Sequence, residues 1–463
     1  MNTIAAIATP TGNAGIGIIR LSGPASVKIA SKVFDHELKP RIATLGKITT
    51  PDVTDQAIVI YFPAPHSFTG EDIVELQAHG GSFLLQRILD HLYTLGATPA
   101  TPGEFSKRAF LNGKLSLSQA EAIIDLINAE SDAQLRSASS SFHGNLLEKL
   151  KVIEAQLTTL AAQIEVILDH PELDLPIPQT NSLQSILDLL ATLIATENQG
   201  RLIANGVQIA VLGKPNVGKS SLFNALLGRD RAIVTNIAGT TTDTISESLL
   251  YNGHRLIFND TAGIHDPKTE IERLGIQRSL QLIHDADICL VIFDASQPPT
   301  KQDLALLDLV REKPTLIVLS KSDLYEEKFK VKTDKLTSTA YIPAAGGIDA
   351  LLGNLGRNLP KILTSSKTGK NIESLKEKIF QMVIGKNMPS ADLAITNTRH
   401  LHELKKAHTG LLSAMQLLTA DVPQLDLVAI DIAQARDNLG QISGSHAQDS
   451  VIDEIFSRFC LGK

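Results

Sequence analysis

Tryptophan is absent from the 463 residues, and cysteine occurs only twice, at Cys289 and Cys460. Two cysteines so far apart supply neither a disulfide framework nor a cysteine-based zinc site, which fits a reducing compartment. A surplus of positive charge is missing as well. Lys and Arg number 43 against 50 Asp and Glu, a net charge of −7, so no global basic field draws the chain to nucleic acid or an anionic membrane, and any RNA contact must be local. Apolar runs such as Ile288 to Phe293 fall well short of the roughly 18 residues of a spanning helix. The first 19 residues carry no charge, but no Lys or Arg precedes Arg20, and Pro10, Gly12, Asn13, Gly15 and Gly17 interrupt them. That pattern argues against a secretory signal and predicts a cytoplasmic protein with no membrane partner. Low-complexity tracts are absent too. With 43% hydrophobic and 20% charged residues the chain is globular, and its length suggests about three domains.

Residues 1–115 alternate short apolar runs (Ile4 to Ala8, Ala57 to Tyr61, Ile73 to Leu76) with turns and one helical stretch, Phe83 to Leu95, which reads as a small α/β unit. At Ser118 the character changes. Ser118-Gln119-Ala120-Glu121 has the form of a capping box and predicts a helix start. Leu146, Leu150, Ile153, Leu157, Leu160, Ile164 and Ile167 then recur at spacings of four and three, a helical packing seam. Pro171, Pro176 and Pro178 end it, and a second helical pattern runs from Leu183 to Ile194 before Asn205-Gly206. From Val207 to about Asn371 strands alternate with helices. Helical patterns return at Glu373 to Val383, Arg399 to Leu418, Asp426 to Leu439 and Asp449 to Phe459. These need an apolar partner, and the helices before residue 206 have an unfilled face. The expected division is therefore an α/β domain at 1–115, a helical domain in two parts at 116–205 and 372–463, and an α/β domain at 206–371 inserted into it.

The strand Val207 to Leu212 runs straight into Gly213-Lys214-Pro215-Asn216-Val217-Gly218-Lys219-Ser220, followed by Ser221 and an apolar helix. This is a complete phosphate-binding loop. Its glycines let backbone N–H groups turn toward the phosphates, Lys219 pairs the β- and γ-phosphates, and the Ser220 hydroxyl ligates Mg²⁺. Asp260-Thr261-Ala262-Gly263 follows a second strand, Arg255 to Phe258, itself paired through an Asn252-Gly253 hairpin. Asp260 is expected to hold Mg²⁺ through water and Gly263 to sense the γ-phosphate. Leu316 to Leu319 ends in Ser320-Lys321-Ser322-Asp323, where a carboxylate can accept from the N1–H and 2-amino groups of guanine, so GTP is favoured over ATP. Ser320 stands where an Asn is usual, which shortens or removes a contact bracing the loop. Ser365-Ser366-Lys367 fits the last guanine-contacting turn. About twenty surplus residues between these motifs, with Ala344-Ala345-Gly346-Gly347, read as a surface insertion. Ile264 occupies the place where many small GTPases carry a water-orienting Gln, which leaves Glu270 and Glu272 as candidates for that task.

These motifs, with Thr235-Asn236-Ile237-Ala238-Gly239-Thr240-Thr241-Thr242-Asp243 and the terminal Phe459-Cys460-Leu461-Gly462-Lys463, resemble the MnmE (TrmE) family of tRNA modification GTPases. Ser67-Phe68-Thr69-Gly70-Glu71-Asp72, Pro102-Gly103-Glu104-Phe105-Ser106 and Phe110-Leu111-Asn112 extend the resemblance to the N-terminal domain. It implies a multidomain α/β plus α fold: an N-terminal α/β folate-binding-like domain and a helical-bundle domain split by an inserted P-loop GTPase (Ras-like α/β) domain. It also implies a constitutive homodimer through the N-terminal domain, and a K⁺ ion replacing an arginine finger. The K⁺ ligands by motif position are Asn216, Thr235, Ile237 and Thr240, with Thr241 on Mg²⁺ beside Ser220. A finger supplies roughly 10³ to 10⁵ in rate. The competing reading makes Arg229 or Arg231 the finger. The resemblance assigns water orientation to Glu272 and a 5-formyl-tetrahydrofolate-type pocket to Arg20, Glu75, Lys114 and Lys463. It leaves a thiol role for Cys460 open against a small packed residue. Thr242 and His265 depart from the family pattern.

The implied activity is GTP hydrolysis coupled to modification of the wobble uridine of certain tRNAs, a carboxymethylaminomethyl or aminomethyl group at C5. The one-carbon unit is folate-borne, and the flavoprotein MnmG (GidA) is the partner in a heterotetramer. A GTP-dependent ribosome or RNA assembly factor is the alternative, and residues 1–115 acting only in dimerisation is a third reading.

Overall fold

The computed structural model describes residues 2–173, 175–178, 180–228, 246–261, 270–298, 300–329, 359–385 and 394–463, with backbone alone for Ser246, residues 270–276 and Phe329. The chain forms two compact units. One comprises Met1–Asn128, Ala138–Ile194 and Thr398–Lys463, the other Ala129–Ser137 and Ala195–Asn397. No described helix is long and apolar enough to cross a membrane.

The first unit opens with a six-stranded sheet built from β1 (Ile4–Ile7), β2 (Ala14–Ser22), β3 (Thr44–Thr49), β4 (Thr54–Phe62), β5 (Ile73–Gly80) and β6 (Thr98–Pro99), in the order β3-β4-β5-β2-β1-β6. All neighbours are antiparallel except β1 and β6. Between them in the chain lie the short α1 (Ser26–Ala30) and the longer α2 (Ser82–Thr94); α3 (Glu104–Leu111) follows β6. Helix α2 buries Leu85, Ile88, Leu89 and Leu92, one face at helical spacing. Strand β2 lies outside the sequence expectation because Gly15 and Gly17 weaken a strand pattern. Gly17 is there for packing: a Cβ on it would sit 2.2 Å from Leu85 Cδ1.

The same unit holds α4 (Leu117–Asn128), the C-terminal half of α5 (Asp132–Phe142), α6 (Asn145–Asp169) and α7 (Thr180–Ile194). The capping box lies two residues before the expected place. Gln119 N–H donates to Ser116 Oγ at 3.2 Å and Ser116 N–H donates to Gln119 Oε1 at 2.9 Å, so Ser116 rather than Ser118 is the cap. Helix α6 buries Leu150, Ile153, Leu157, Leu160 and Ile164 of the predicted seam.

The second unit begins in sequence with the N-terminal half of α5 and with α8 (Glu197–Asn205), which periodicity did not reveal. It continues through β7 (Val207–Leu212), α9 (Lys219–Leu227), β8 (Ser246–Tyr251), β9 (His254–Asp260), α10 (Glu270–Asp285), β10 (Ile288–Asp294), α11 (Lys301–Leu309), β11 (Thr315–Ser320), α12 (Ser322–Phe329), β12 (Lys361–Leu363) and α13 (Ile372–Val383). The sheet order is β12-β11-β10-β7-β9-β8, parallel apart from the edge strand β8. Side chains alternate between two cores. Ile209, Val211, Leu290, Ile292, Leu316 and Val318 face the layer holding Leu222, Leu226 and Leu375, while Ala210, Leu212, Val291, Phe293, Ile317 and Leu319 face Ile283, Leu306 and Tyr325. Burial on both faces explains why these strands read as unbroken apolar runs. At the β8–β9 turn Asn252 and Gly253 have φ 49° and 75°, the type I′ conformation the Asn-Gly pair predicts. The surplus segment around Gly346 lies outside the described residues.

After the second unit the chain returns to the first as α14 (Thr398–Leu418), α15 (Leu425–Ser443) and α16 (Asp449–Ser457). Helix α14 packs on α15 and on α7, and α15 on α6, so helices from both sides of the inserted unit share one bundle. Glu121 joins them. Its carboxylate accepts from Arg399 Nε at 2.9 Å, Arg399 Nη2 at 2.6 Å and His400 Nε2 at 2.7 Å, and Arg399 Nη1 donates onward to the Gln441 carbonyl at 2.6 Å.

Burial pushes the Glu121 carboxyl up, but the hydrogen bonds from His400 and Arg399 outweigh it and hold the pKa at about 2, below the ordinary 4.5. A depressed folded pKa means the cluster stabilises fully above the ordinary value and loses that contribution as pH falls toward about 2. Glu121→Gln is expected to cost about 3 kcal/mol at neutral pH, because it leaves Arg399 without its partner. Faster amide exchange in α4 and α14 would register this, and the gap between the two proteins should narrow as the pH drops below the ordinary carboxylate range.

Candidate functional site

Strand β7 is buried on both sides and ends at Leu212, and the chain must then turn sharply to start α9. Two residues take left-handed backbone to do so, Asn216 at φ 64° and Gly218 at φ 103°. Gly218 bears that conformation without strain, and Asn is the L-residue that tolerates it best. Gly213 has no room for a side chain, since a Cβ would lie 2.9 Å from the Ile292 carbonyl oxygen. The result is a loop wrapped before a helix N-terminus, a natural anion cradle.

Lys219 is half-buried, and its Nζ donates to the carbonyls of Gly213 at 2.7 Å and Lys214 at 3.2 Å. Burial lowers its pKa, and the charge of Asp260 opposes that shift. Asp260 ends β9 and stands opposite Val211 in register. Its carboxyl is raised by burial and lowered in part by Lys219, and among the described residues its buried Oδ1 has no hydrogen-bond partner. That orphaned oxygen and the exposed Ser220 hydroxyl are hard oxygen donors of the kind Mg²⁺ takes, directly or through water. Thr261 is tied down, its N–H and Oγ1 both donating to the Val211 carbonyl.

The loop expected to read the base sits on the ends of β11 and β12. Thr364 N–H donates to Leu319 O at 2.8 Å and Ser322 N–H to Thr364 O at 3.0 Å. Asp323, in the first turn of α12, accepts from Ser365 Oγ at 2.7 Å, which holds its Oδ1 in place. Ser366 is half-buried and Lys367 exposed. Of the two outcomes expected for the brace, shortened or lost, Ser320 shows the shorter one: its Oγ reaches the Val217 carbonyl of the phosphate loop and, at 3.0 Å, the Phe293 carbonyl at the end of β10. A serine suffices because the two carbonyls lie within reach of a short side chain.

Residues 216–221, 260–261, 320–323 and 365–367 thus all lie at the C-terminal ends of the parallel strands β7, β9, β11 and β12 of one sheet. Thr235, Asn236, Ile237, Ala238, Gly239, Thr240, Thr241, Ala262 and Gly263 lie outside the described residues, as do Arg229, Arg231, Thr242, Ile264 and His265. Glu270 and Glu272 fall in the first turn of α10, and their side chains are not described. Asp294 and Asp303, which motif reading did not single out, also reach the lysines of this site. Asp294 ends a strand, and that position was the available signal.

A second constellation occupies the first unit. Arg20 on β2 and Glu75 on β5 are register partners. Arg20 Nε and Nη2 both donate to Glu75 Oε1, at 2.9 and 2.8 Å, and the guanidinium lies 5.6 Å from the Phe68 ring centre and 5.7 Å from that of Phe105. Phe68 and Phe105 entered the sequence reading only as motif residues and not as part of this constellation. Arg20 Nη1 is 3.5 Å from the Gly462 carbonyl, and a Cβ on Gly462 would lie 2.3 Å from Ile7 O. Lys463 N–H donates to Cys460 O at 3.3 Å. Lys114 runs along Gly70, whose Cβ would lie 3.2 Å from Lys114 Cε. Cys460 is an exposed free thiol.

Family models match almost the whole chain: the GTP-binding protein TrmE N-terminus over residues 3–114 and the MnmE helical domain over residues 117–460. Two curated relatives, each named tRNA modification GTPase MnmE, come from Moorella thermoacetica and Natranaerobius thermophilus. They are 39% and 36% identical to this chain, each over 100% of it and 99% of the relative. A solved structure of the G domain of the T. maritima FeoB iron transporter is 30% identical over 38% of this chain and 98% of its own, with a TM-score of 0.27.

Ser320→Ala is expected to weaken binding of a fluorescent GDP about tenfold, because it removes the one hydroxyl proton that links the Val217 carbonyl of the phosphate loop to the end of β11. Ser320→Asn should bind at least as well as the serine.

Proposed function

The chain belongs to the MnmE family of tRNA modification GTPases, so it hydrolyses GTP, with Mg²⁺, in tRNA modification; from that premise we propose that it is a K⁺-stimulated GTPase acting on the wobble uridine with a folate-borne one-carbon unit. What carries the reading is the Ser320 link, which ties a phosphate loop to a guanine-reading carboxylate loop in a chain that matches the family from end to end.

On this reading the N–H groups of residues 216–221 receive the phosphates. Lys219 exchanges its carbonyl partners for phosphate oxygens, an exchange favoured because an ammonium ion bonds a charged acceptor more strongly than a neutral one. Asp323, steadied by Ser365, accepts from guanine. Glu272 orients the attacking water. Ser220 and Thr241, with Asp260 through water, would hold Mg²⁺, which would supply positive charge against the phosphates. Asn216, Thr235, Ile237 and Thr240 offer uncharged oxygens that suit K⁺, which supplies the positive charge that a guanidinium finger provides elsewhere. Arg20, Glu75, Lys114 and Lys463 are the folate-binding set, with charges of both signs for pterin and glutamate tail. The protein acts as a homodimer through residues 1–115, with MnmG as partner, in the cytoplasm. Cys460, exposed on the tail, is available for a thiol role. The domains are 1–115, a helical domain in two parts at 116–205 and 372–463, and the inserted domain at 206–371, although α8 and α13 fall in the second compact unit, where Leu202, Leu375 and Ile379 enter the core of its sheet.

Turnover in K⁺ should exceed that in Na⁺ at equal ionic strength by an order of magnitude or more; equal rates would remove the cation from the mechanism. Wobble uridines of tRNA from a strain lacking the gene should lose the C5 group, and an unchanged nucleoside profile would favour an assembly factor instead. Titration with 5-formyl-tetrahydrofolate should give a signal that Arg20→Ala weakens about tenfold or more, the scale of hydrogen bonds to a charged group.

A further inference from the structure

Three ammonium groups crowd the phosphate loop, and the structure disposes of two of them. Lys219 donates to two carbonyls and, among the described residues, has no carboxylate within ion-pair distance. Lys214 and Lys321 are neutralised by carboxylates from a single connection, the one leading from β10 into α11. Lys214 Nζ pairs with Asp303 and contacts Thr300 Oγ1. Asp303 is already fixed, since its Oδ2 accepts from Thr300 N–H at 2.6 Å and Thr300 Oγ1 at 2.9 Å in the capping box of α11. Lys321 Nζ pairs with Asp294 Oδ2 at 2.7 Å and donates to the Asn216 carbonyl at 2.8 Å. Asp294 is fixed as well, its Oδ1 accepting from Ser296 N–H at 2.9 Å and Ser296 Oγ at 2.6 Å. Burial pushes the Asp294 carboxyl up, but the hydrogen bonds from Lys321 and Ser296 hold it below the usual range, so it is charged at neutral pH.

The two held points flank the turn that forms the cradle. Asn216 sits at φ 64° and Lys321 at φ 55°, and each left-handed L-residue costs about 1–2 kcal/mol unless its neighbours hold it. We propose that Asp294 and Asp303 are positioning residues for the nucleotide: through Lys321 and Lys214 they clamp the phosphate loop in its ligand-ready shape and set how slowly GDP leaves. The inference rests on residues 213–220 being the nucleotide site and adds the control of release. Preorganisation and charge predict opposite outcomes. Removing a carboxylate makes the site more positive, which alone would tighten binding of an anion, whereas losing the clamp loosens it.

The test is release of N-methylanthraniloyl-GDP, chased with excess GDP, from the full-length protein. Asp294→Asn and Lys214→Gln are each expected to speed release about tenfold, the worth of one charge-assisted hydrogen bond, and to raise KM for GTP by a larger factor than they lower kcat. Lys214→Gln leaves both carboxylates and the α11 cap in place, so its effect is not one of folding, while Asp294→Asn, which removes a negative charge, is the variant for which clamp and charge predict opposite signs. In a Lys321→Met background Asp294→Asn should change release less than twofold, because its target is gone. Release that is unchanged or slower in the single variants, or an Asp294→Asn effect that survives in the Lys321→Met protein, overturns the clamp. A wild-type protein that binds no labelled GDP overturns the site itself.

Discussion

A triphosphate can be held by main-chain N–H groups only if several consecutive peptides point the same way, and backbone sterics resist that for L-residues. The proposed nucleotide site depends on satisfying this constraint at Asn216 and Gly218, which take φ 64° and 103°. Glycine removes the penalty at one position. At the other the loop is held from outside, with Ser320 on the Val217 carbonyl and Lys321 on the Asn216 carbonyl. Those side chains are themselves placed by β11, a strand buried at every position. The rigid parallel core is thus what keeps a strained turn ready for a ligand, and α9 adds the favourable end of its dipole.

The same economy of placement governs the helical domain. Helices α6 and α7 precede the inserted unit and α14 and α15 follow it, and neither pair could cover its apolar stripe alone. Their union closes one core, and the buried Glu121 carboxylate fastens the joint at the first residues after re-entry, Arg399 and His400. A carboxylate so enclosed is tolerated because three charge-assisted hydrogen bonds replace its water. That arrangement makes the register of α4 against α14 specific, since a shift of one turn would strand a charge.

Elements whose periodicity is strong were legible in the sequence: β7, the α6 seam, the Asn252-Gly253 turn and the helices after residue 372. Pattern failed where local chemistry is ambiguous. Ser116 and Ser118 both precede a Gln or Glu by three residues, and only the tertiary partner of Glu121 decides between them, because a glutamate engaged with Arg399 cannot also cap. Strand β2 was hidden by Gly15 and Gly17, of which Gly17 is kept for Leu85. Ser320 was read as a weakened brace because motif comparison registers the missing amide of an asparagine but not the distance the side chain has to cover. The carboxylates Asp294 and Asp303 were invisible to motif reading because their meaning lies in which lysines they meet, and that is set by sheet order: β10 lies between β7 and β11, so its outgoing loop is flanked by the phosphate loop and the base loop.

Sheet order and chain closure explain the N-terminal constellation by the same reasoning. Arg20 and Glu75 are brought opposite each other by the pairing of β2 with β5, but Gly462 reaches them only after α16 has packed, through Ile452, Ile455 and Phe456, against Leu117 and Ala120 of α4. The tail then takes a left-handed turn at Gly462 that no side chain could occupy so near Ile7. A pocket that uses Lys463 therefore exists only when the second half of the helical domain has folded onto the first, so formation of the proposed folate site is coupled to completion of the split bundle. Any motion that loosens the bundle where the chain re-enters at Thr398 would be felt at Arg20 through the tail, without a contact between the two compact units being needed.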